Sequence, residues 1–306
     1  MNSPILSSEI ARAMKLSLPV VALESTVITH GLPLPQNLSL ARDMEAAIRD
    51  ESATPATIAV LNGQVRVGLS ETELEELARG KDNIKISRRD FATAIFKKLS
   101  GGTTVAGTMF IAQQAGIKVF ATGGIGGVHR EARFDVSTDL QALADTPMIV
   151  VCAGAKAILD LPATLEYLET MSVPVVGFKT DEFPAFYSRE SGLKTSVKLD
   201  SVEEIVGFAM AHWNAGLQSA VLVTNPVPEA DAIPKSEMDP HITKASEEAV
   251  HKKIHGQALT PFLLQRISEL TQGKSLRTNL SLLLNNARLA AQIAREITAR
   301  QRVRAI

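Results

Sequence analysis

Lys156 has the clearest potential for chemistry in this sequence, because it breaks a local rule. It ends an apolar run that begins at Met148 and is typical of a buried strand leading into a tight glycine–alanine turn. After Ala157–Asp160, an apolar-periodic stretch to about Thr170 predicts a helix. A lysine at a helix start faces the positive end of the helix dipole, which disfavours the cation by about 0.3–1 kcal/mol.

This setting favours a neutral amine at Lys156. Apolar walls and the helix dipole both act against the charged form, and a neutral amine is a nucleophile. Proteins tend to break local rules at functional sites. The alternative interpretation is an ordinary lysine whose long side chain reaches water.

Two further candidates follow short predicted strands. Glu24 ends the run from Pro19 to Leu23, where a partly buried carboxyl group would have a raised pKa suited to donating a proton. The alternative is a glutamate that caps the adjoining turn. Lys85 belongs to a predicted strand over residues 84–87, with two arginines behind it, and either binds a phosphate or lies on an exposed strand edge.

A glycine loop over residues 123–127 follows the predicted strand Val119–Thr122, where α/β folds bind ligands. It is not a dinucleotide-binding loop, because His129 takes the third glycine position counted from Gly124, and no Gly-Lys-Ser/Thr closes it as a phosphate loop would require. Glycine N–H groups can approach an anion closely, and His129 and Arg130 add donors and positive charge. A tight structural turn is the other interpretation.

Oxygen-bearing side chains alternate in the segment Phe134–Leu140, at Asp135, Ser137 and Asp139. If the segment is extended, these side chains share one face and suit a divalent cation that keeps much of its water. Asp139 could instead cap the helix that follows.

Composition excludes several classes of function. The 306 residues are 45% hydrophobic with a net charge of −1, so electrostatics favours neither nucleic acid nor an anionic membrane. No apolar segment reaches the length of a membrane span, and the first sixteen residues predict a short helix rather than a signal peptide. We therefore expect a cytoplasmic protein. The single cysteine, Cys152, lies in an apolar run and is expected to be buried and unreactive.

Strand-like and helix-like runs alternate, which predicts an α/β fold. Asn62-Gly63 between residues 57–61 and 64–67 is a strong hairpin signal, so the sheet should be mixed rather than purely parallel. A capping box from Ser70 to Glu73 predicts a helix to Arg79. The other predicted strands are 173–177 and 220–224, and the other predicted helices run to about 50 and over 105–115, 261–271 and 278–300. No linker or repeat divides the chain, so residues 1–306 should form one domain.

Six motifs closely resemble those of the pseudouridine-5′-phosphate glycosidase family, which includes the proteins called indigoidine synthase A. They occur in family order, and the similarity runs from about residue 16 to about residue 300. The motifs are residues 22–31, 86–90, 121–130, 134–140, 151–160 and 260–263.

The resemblance implies reversible cleavage of the C–C glycosidic bond of pseudouridine 5′-phosphate, giving uracil and ribose 5-phosphate. It also implies a divalent metal, typically Mn²⁺, a homotrimer, and a single three-layer α/β/α domain with a mixed central sheet. Lys156 would be the covalent nucleophile, Glu24 the proton donor and Asp135 the metal ligand. The implied substrate contacts are Lys85, Val105, Ser137, Thr138 and Asp139, with further pocket contacts at Thr122, His129 and Asn279.

Two departures from the family pattern are visible. Residues 131–133, beside the expected metal ligand, form a slightly shorter segment than the family has. Ser172 stands where the family pattern has a glycine at a helix end, which indicates a change of capping residue.

The implied chemistry agrees with the residues. A C-glycoside has no heteroatom leaving group, so opening the ribose ring and forming an imine at C1′ would supply the electron sink that lets uracil leave once its C5 is protonated. That route needs a neutral lysine, an acid near the base and cations for the phosphate, which Lys156, Glu24 and Lys85 could supply.

Two other functions use the same features. A Schiff-base lyase or aldolase acting on a different sugar phosphate needs the same amine and the same phosphate site. A sugar-phosphate-binding regulatory module, with a structural Lys156, would bind its ligand without turnover. The apolar face of the C-terminal helix, with Leu282, Leu283, Leu289 and Ile293, could form a subunit interface or pack on the sheet.

Overall fold

A computed structural model describes residues 3–130, 135–254 and 256–304 of the protein. The shortened segment 131–133 and Phe134 lie outside the described residues. The strands are β1 (Ile5–Leu6), β2 (Val20–Leu23), β3 (Thr54–Leu61), β4 (Gln64–Val67), β5 (Ile84–Ile86), β6 (Gly101–Thr103), β7 (Val119–Ala121), β8 (Val128–His129), β9 (Ile149–Cys152), β10 (Leu159–Asp160), β11 (Val175–Phe178), β12 (Val197–Leu199) and β13 (Val221–Thr224).

The predicted helices are present with small shifts at their ends, and the structure adds helices over residues 91–96 and 202–214. They are α1 (Ser8–Lys15), α2 (Gln36–Asp50), α3 (Glu71–Arg79), α4 (Phe91–Phe96), α5 (Val105–Gln114), α6 (Thr138–Asp145), α7 (Leu161–Thr170), α8 (Val202–Asn214), α9 (Lys235–His251), α10 (Leu259–Leu270) and α11 (Lys274–Arg304). The predicted capping box of α3 is present, because Ser70 Oγ accepts from the Glu73 backbone and the Glu73 carboxylate accepts from the Ser70 backbone.

The central sheet is mixed, as predicted. In the described part of the chain it has eleven strands, in the order β1-β4-β3-β2-β7-β9-β13-β11-β12, with β6 on β3 and β5 on β6. The predicted hairpin pairs β3 with β4 antiparallel, with Leu61 opposite Gln64. The six strands from β2 to β12 run parallel to one another.

Helices cover both faces of the sheet. All four residues of β2, β9 and β13 are buried, which requires apolar cover on each side of a parallel sheet. Helix α11 packs on β2, β7 and β9 beside α2 and α8, whereas α5 packs on β2 and β3 beside α6. The expected α/β fold with a mixed central sheet is confirmed.

The apolar face of α11 packs within the subunit. Leu282 and Ile293 are fully buried, and Leu283 and Leu289 are nearly so. This face therefore stabilises the sheet, and the homotrimer stays a prediction. Among the described residues, no helix combines the length and the apolar character needed to cross a membrane.

Two local predictions are also confirmed. Cys152 is fully buried, and burial raises the pKa of its thiol to about 12, so it behaves as a small apolar residue. Ser172 follows α7 with a φ of 56°, the left-handed conformation that a glycine would adopt at a helix end without strain.

Candidate active site

The carboxyl ends of three adjacent parallel strands bring the predicted residues together. Glu24 directly follows β2, Thr122 directly follows β7, and Lys156 lies in the loop after β9. Strands β2, β7 and β9 are neighbours in the sheet, so their ends open at one edge, where α/β folds bind ligands. Lys85 reaches the same place from β5, which pairs with β6.

A cavity of about 280 Å³ lies at this edge and contains most of the predicted site. Residues from the strand ends, the start of α5 and the start of α6 line it. Among the predicted site residues these are Glu24, Lys85, Val105, His129, Asp135, Ser137, Thr138, Asp139 and Lys156. Thr122 contacts the site by donating a hydrogen bond from its hydroxyl to the Glu24 carboxylate.

A smaller cavity of about 60 Å³ adjoins the first and contains Asn279. Glu24, Lys85 and Lys156 line both cavities. The larger compartment is polar, with cations, hydroxyls and carboxylates, whereas the walls of the smaller compartment are mostly apolar. Those apolar walls are Val27, Pro261, Leu264, Phe186 and Leu283. The amine and the candidate acid therefore stand between a polar and an apolar space.

The expectation that Lys156 begins a helix is wrong. Helix α7 begins at Leu161, and its N-cap is Asp160, whose carboxylate accepts a hydrogen bond from the Ala163 backbone. The helix dipole therefore does not act on Lys156 as predicted, because the dipole falls off within the first turn. Lys156 is half-buried and lines the cavities, so the side chain is directed into the site rather than into a free surface.

Backbone pairing with the glycine loop fixes the position of Lys156. Its N–H donates to the Ile125 carbonyl at 3.1 Å, the Ile125 N–H donates to the Gly154 carbonyl at 3.1 Å, and the Ala153 N–H donates to the Gly123 carbonyl at 2.9 Å. Gly154 has a φ of +86°, and a side chain there would meet the Pro184 carbonyl oxygen at 2.1 Å. Only glycine fits this turn.

We expect Gly154→Ala to lower the free energy of unfolding by more than about 2 kcal/mol, because it adds a backbone clash to a disfavoured φ. Any reaction that uses Lys156 should slow too, since the turn carries this residue. Gly192→Ala is the matched control, because Gly192 has a φ of +81° with open space around it. Urea unfolding of both variants measures the difference, and equal losses would contradict the proposed clash.

Glu24 has the environment expected of a proton donor. Burial raises the pKa of its carboxyl group, against the opposing effects of the Lys156 charge and of the hydrogen bond from Thr122. The backbone around it is fixed by Ser25, whose hydroxyl donates to the Ile58 carbonyl and accepts from the Thr103 N–H at 2.9 Å. The protonated acid therefore persists to a higher pH than for an exposed glutamate.

Basic side chains share the site, among them Lys85, His129 and Lys156. Burial and the neighbouring charge of Lys156 lower the pKa of Lys85. Burial lowers the pKa of His129, with Asp135 opposing the effect and the two lysines adding to it. The α5 helix begins at Val105 on the same wall, and the positive end of its dipole adds to the field. This wall is suited to an anion.

The glycine loop serves packing more than anion binding. The Gly126 N–H donates to the Asp139 carboxylate at 2.8 Å, and the Val128 N–H donates to Thr164 Oγ1 at 3.0 Å. A side chain at Gly126 would meet Ser137 Oγ at 2.2 Å, and one at Gly127 would meet Thr164 Oγ1 at 2.4 Å. Of the two interpretations open from the sequence, the tight structural turn fits these contacts.

Asp139 neither lies on an extended segment nor caps α6. Ser137 is the N-cap of α6, and the two Asp139 carboxylate oxygens accept from the Ala106 N–H at 2.9 Å and from the Gly126 N–H. Asp139 thus ties the start of α5 to the glycine loop at the cavity wall. The Arg130 guanidinium also contacts the backbone, because it donates hydrogen bonds to the Ala157 and Leu159 carbonyls.

Asp135 is the one predicted metal ligand. Its carboxylate lines the polar compartment beside the Ser137 and Thr138 hydroxyls, and its backbone carbonyl accepts from the His129 N–H at 3.0 Å. No group of three or more histidine, cysteine or acidic side chains suited to a metal occurs among the described residues. This donor set fits an ion that keeps most of its water, such as a hydrated divalent cation, rather than a closed protein cage.

The cavities are also lined by three residues that the sequence did not predict, namely Thr26, His30 and Phe186. Arg89, one of the two arginines behind Lys85, lines the larger cavity. Thr26 and His30 lie inside a motif that was singled out only for Glu24. Phe186 carries no local signal, because it reaches the site from a loop after β11. Thr29 Oγ1 and His30 Nδ1 lie 2.7 Å apart, and burial with the charge of Lys85 lowers the pKa of His30.

A family model described as indigoidine synthase A-like protein matches residues 9–296 of the chain. The chain belongs to the indigoidine synthase A-like family. Curated relatives in this family are named pseudouridine-5′-phosphate glycosidase. One from Solibacter usitatus is 55% identical over 288 residues, covering 94% of this chain and 96% of the relative. One from Caldanaerobacter subterraneus is 52% identical over 291 residues, covering 94% and 95% of the two chains.

Two solved structures, the first of an indigoidine synthase A-like protein, have the same fold. One from Thermotoga maritima matches with a TM-score of 0.89 at 37% identity, covering 96% of this chain and 97% of that one. The prealnumycin C-glycosynthase, solved in complex with ribulose 5-phosphate, matches with a TM-score of 0.91 at 39% identity over 99% of both chains.

Proposed function

We propose that the protein cleaves the C–C glycosidic bond of pseudouridine 5′-phosphate, reversibly, to give uracil and ribose 5-phosphate. The observation that carries the proposal is the position of Lys156 and Glu24 at the junction of a polar and an apolar compartment. A sugar phosphate suits the first compartment and a pyrimidine suits the second. The names of the curated relatives and the ribulose 5-phosphate complex of a structural neighbour support this assignment.

The polar compartment would bind the phosphate and the sugar. Lys85 supplies a half-buried cation, Ser137 and Thr138 supply hydroxyls, and the first turn of α5 at Val105 adds the positive end of a helix dipole. His129 would donate to a sugar or phosphate oxygen. Partly buried cations attract an anion more strongly than exposed cations do, because solvent and salt screen their charge less.

The apolar compartment would bind the base. Asn279 is 7% exposed, and its side-chain oxygen has no hydrogen-bond partner among the described residues. A buried acceptor without a partner costs free energy, and an N–H of uracil would satisfy it. Asn279 would thus orient the base relative to Lys156 and Glu24.

The first chemical step is attack by the neutral amine. Lys156 Nζ bonds to C1′ while the C1′–O4′ bond breaks, and the proton that Nζ loses balances the proton that O4′ gains as it becomes a hydroxyl. The ribose ring is then open, and C1′ carries both the lysine nitrogen and the base.

Glu24 then enables the base to leave. Its carboxyl group protonates C5 of uracil, the nitrogen lone pair forms the C1′=N bond, and the electrons of the C1′–C5 bond return to the base. Water hydrolyses the resulting iminium, the Glu24 carboxylate takes back a proton, and Lys156 is released as an amine. Thr122 holds the acid in place, and Asp139 holds the cavity wall.

Asp135 would hold a divalent cation, with Mn²⁺ as the expected ion. The ion would supply positive charge for the oxygens of the sugar phosphate, through its bound water or directly. Asp135 itself orients the wall that carries His129, through its backbone carbonyl. The ion therefore belongs to the polar compartment and not to the base.

We expect Asp135→Asn to weaken Mn²⁺ binding at least about tenfold, because Asp135 is the carboxylate expected to hold the ion. Electron paramagnetic resonance titration of free Mn²⁺ measures this without turnover. Asp145→Asn is the control, because Asp145 pairs with Arg88 on the surface at 2.8 Å. Equal Mn²⁺ affinity in both variants would show that Asp135 is not a metal ligand.

The function itself is tested by incubating the purified protein with Mn²⁺ and pseudouridine 5′-phosphate and assaying free uracil and ribose 5-phosphate. Equimolar release of both is expected. Tight binding of ribose 5-phosphate without uracil release would favour a regulatory binding module. Turnover of another sugar phosphate with no uracil would favour an aldolase or a different Schiff-base lyase. We also infer a homotrimer in the cytoplasm, and sedimentation tests the assembly.

A further inference from the structure

Phe186 has a backbone conformation that aromatic residues rarely adopt. It is the first central residue of a tight turn, in which the Ala185 N–H donates to the Ser188 carbonyl at 2.9 Å and the Ser188 N–H donates back at 3.3 Å. Its φ is +61°, where glycine normally stands in such turns. A large aromatic side chain at this position is disfavoured unless its surroundings hold it.

Backbone contacts hold the Phe186 turn against the loop that carries Lys156. The Phe186 N–H donates to the Ala153 carbonyl at 3.1 Å. The Pro184 carbonyl oxygen lies where a side chain at Gly154 would otherwise be, at 2.1 Å from that Cβ position. Backbone strain of this kind persists where several contacts determine the conformation, and it is concentrated at functional sites.

The ring itself is equally fixed. Its edge lies on the glycine loop, since a Cβ at Gly124 would meet two ring carbons at 2.6 and 2.7 Å. The neighbouring ring of Tyr187 packs edge-on, with centroids 4.8 Å apart and planes at 82°. Phe186 is 2% exposed, and what remains accessible faces the apolar compartment of about 60 Å³. A strained turn thus presents one immobile ring to the space beside Lys156.

We propose that Phe186 limits the leaving group to a base of the size of uracil by forming the rigid wall of the apolar compartment. This inference rests on the proposed function, because it names the residue that selects the base in that same reaction. The other apolar walls, such as Leu264 and Leu283, belong to the helices α10 and α11. Phe186 differs from them because it is fixed through both its backbone and its ring.

The test compares cleavage of pseudouridine 5′-phosphate with cleavage of its 1-methyl and 6-methyl derivatives. Phe186→Gly removes the ring and also suits the positive φ, which offsets part of the lost packing. Lys179→Gly is the matched control, because Lys179 is exposed and has a φ of 57° in the same region after β11. Phe186→Leu is a second variant that keeps apolar bulk in case the glycine variant folds poorly.

In the parent and in Lys179→Gly, kcat/KM for at least one methylated substrate should be about 10- to 200-fold below that for the unmodified one. In Phe186→Gly this ratio should shrink at least about tenfold, and Phe186→Leu should be intermediate. Unchanged ratios in both variants, or a parent that does not discriminate, would overturn the proposal. If the parent releases no uracil from pseudouridine 5′-phosphate itself, the proposed function fails and this inference fails with it.

Discussion

Lys156→Ala is expected to lower kcat for uracil release by about 10⁴- to 10⁶-fold, the range seen when an enzyme loses its covalent nucleophile. Lys156→Arg should be as inactive, because it keeps the charge but cannot form an imine at neutral pH. Both variants should still bind ribose 5-phosphate, since Lys85 and the start of α5 remain. Quenched-flow assays with a limit of detection near 10⁻⁶ of the parent rate measure this.

Lys244→Ala is the control, because Lys244 is an exposed lysine on α9. It should have the parent rate. A Lys156→Arg protein that retains a tenth or more of the parent activity would show that the residue acts through its charge. Lys156 would then be a binding group and the covalent route would be excluded.

Glu24→Gln is expected to lower kcat by about 10²- to 10⁴-fold, the usual contribution of a general acid. The amide keeps the shape of the protonated carboxyl group but cannot deliver its proton to C5 of the base. Because burial raises the pKa of Glu24 above 4.5, the parent kcat/KM should fall as pH rises through that raised value. The variant should lose this decline, and steady-state pH profiles of both proteins test it.

The melting temperature of Glu24→Gln shows whether its lower activity reflects the missing acid or a destabilised fold. A carboxyl group whose pKa is raised on folding stabilises the fold fully below its unfolded pKa, and that contribution is lost as pH rises through the folded pKa. Glutamine stays neutral, so Glu24→Gln should match or exceed the parent in melting temperature at pH 8. A lower melting temperature together with an unchanged pH profile would contradict the assignment of Glu24 as the acid.

Much of the scaffold follows from local sequence patterns. The Asn62-Gly63 hairpin, the capping box at Ser70 and the buried strand before Lys156 depend on residues close together in the chain, and each is confirmed. The strand ends could also be placed together, because parallel strands open at one edge. Glu24, the glycine loop and Lys156 each follow a predicted strand, and the structure brings them to one edge of the sheet.

What the sequence could not predict depends on tertiary contacts. Lys156 was placed at a helix start, but two residues that pair as β10 with β8 stand before α7. The sequence places Asp139 either on an extended face or at a helix cap, but its carboxylate accepts from backbone N–H groups of α5 and the glycine loop. Phe186 comes from a distant loop, and no spacing rule connects it to Glu24.

The most direct test of the account is reduction of the enzyme with borohydride during turnover of pseudouridine 5′-phosphate. Reduction of the iminium should attach the open ribose phosphate irreversibly, and peptide mass spectrometry should locate it on Lys156. The labelled fraction of the enzyme should equal the fraction of activity lost. Glu24→Gln should accumulate less of the adduct under the same conditions. Attachment at Lys85 or at any other residue, or no attachment in an active enzyme, would contradict the central claim.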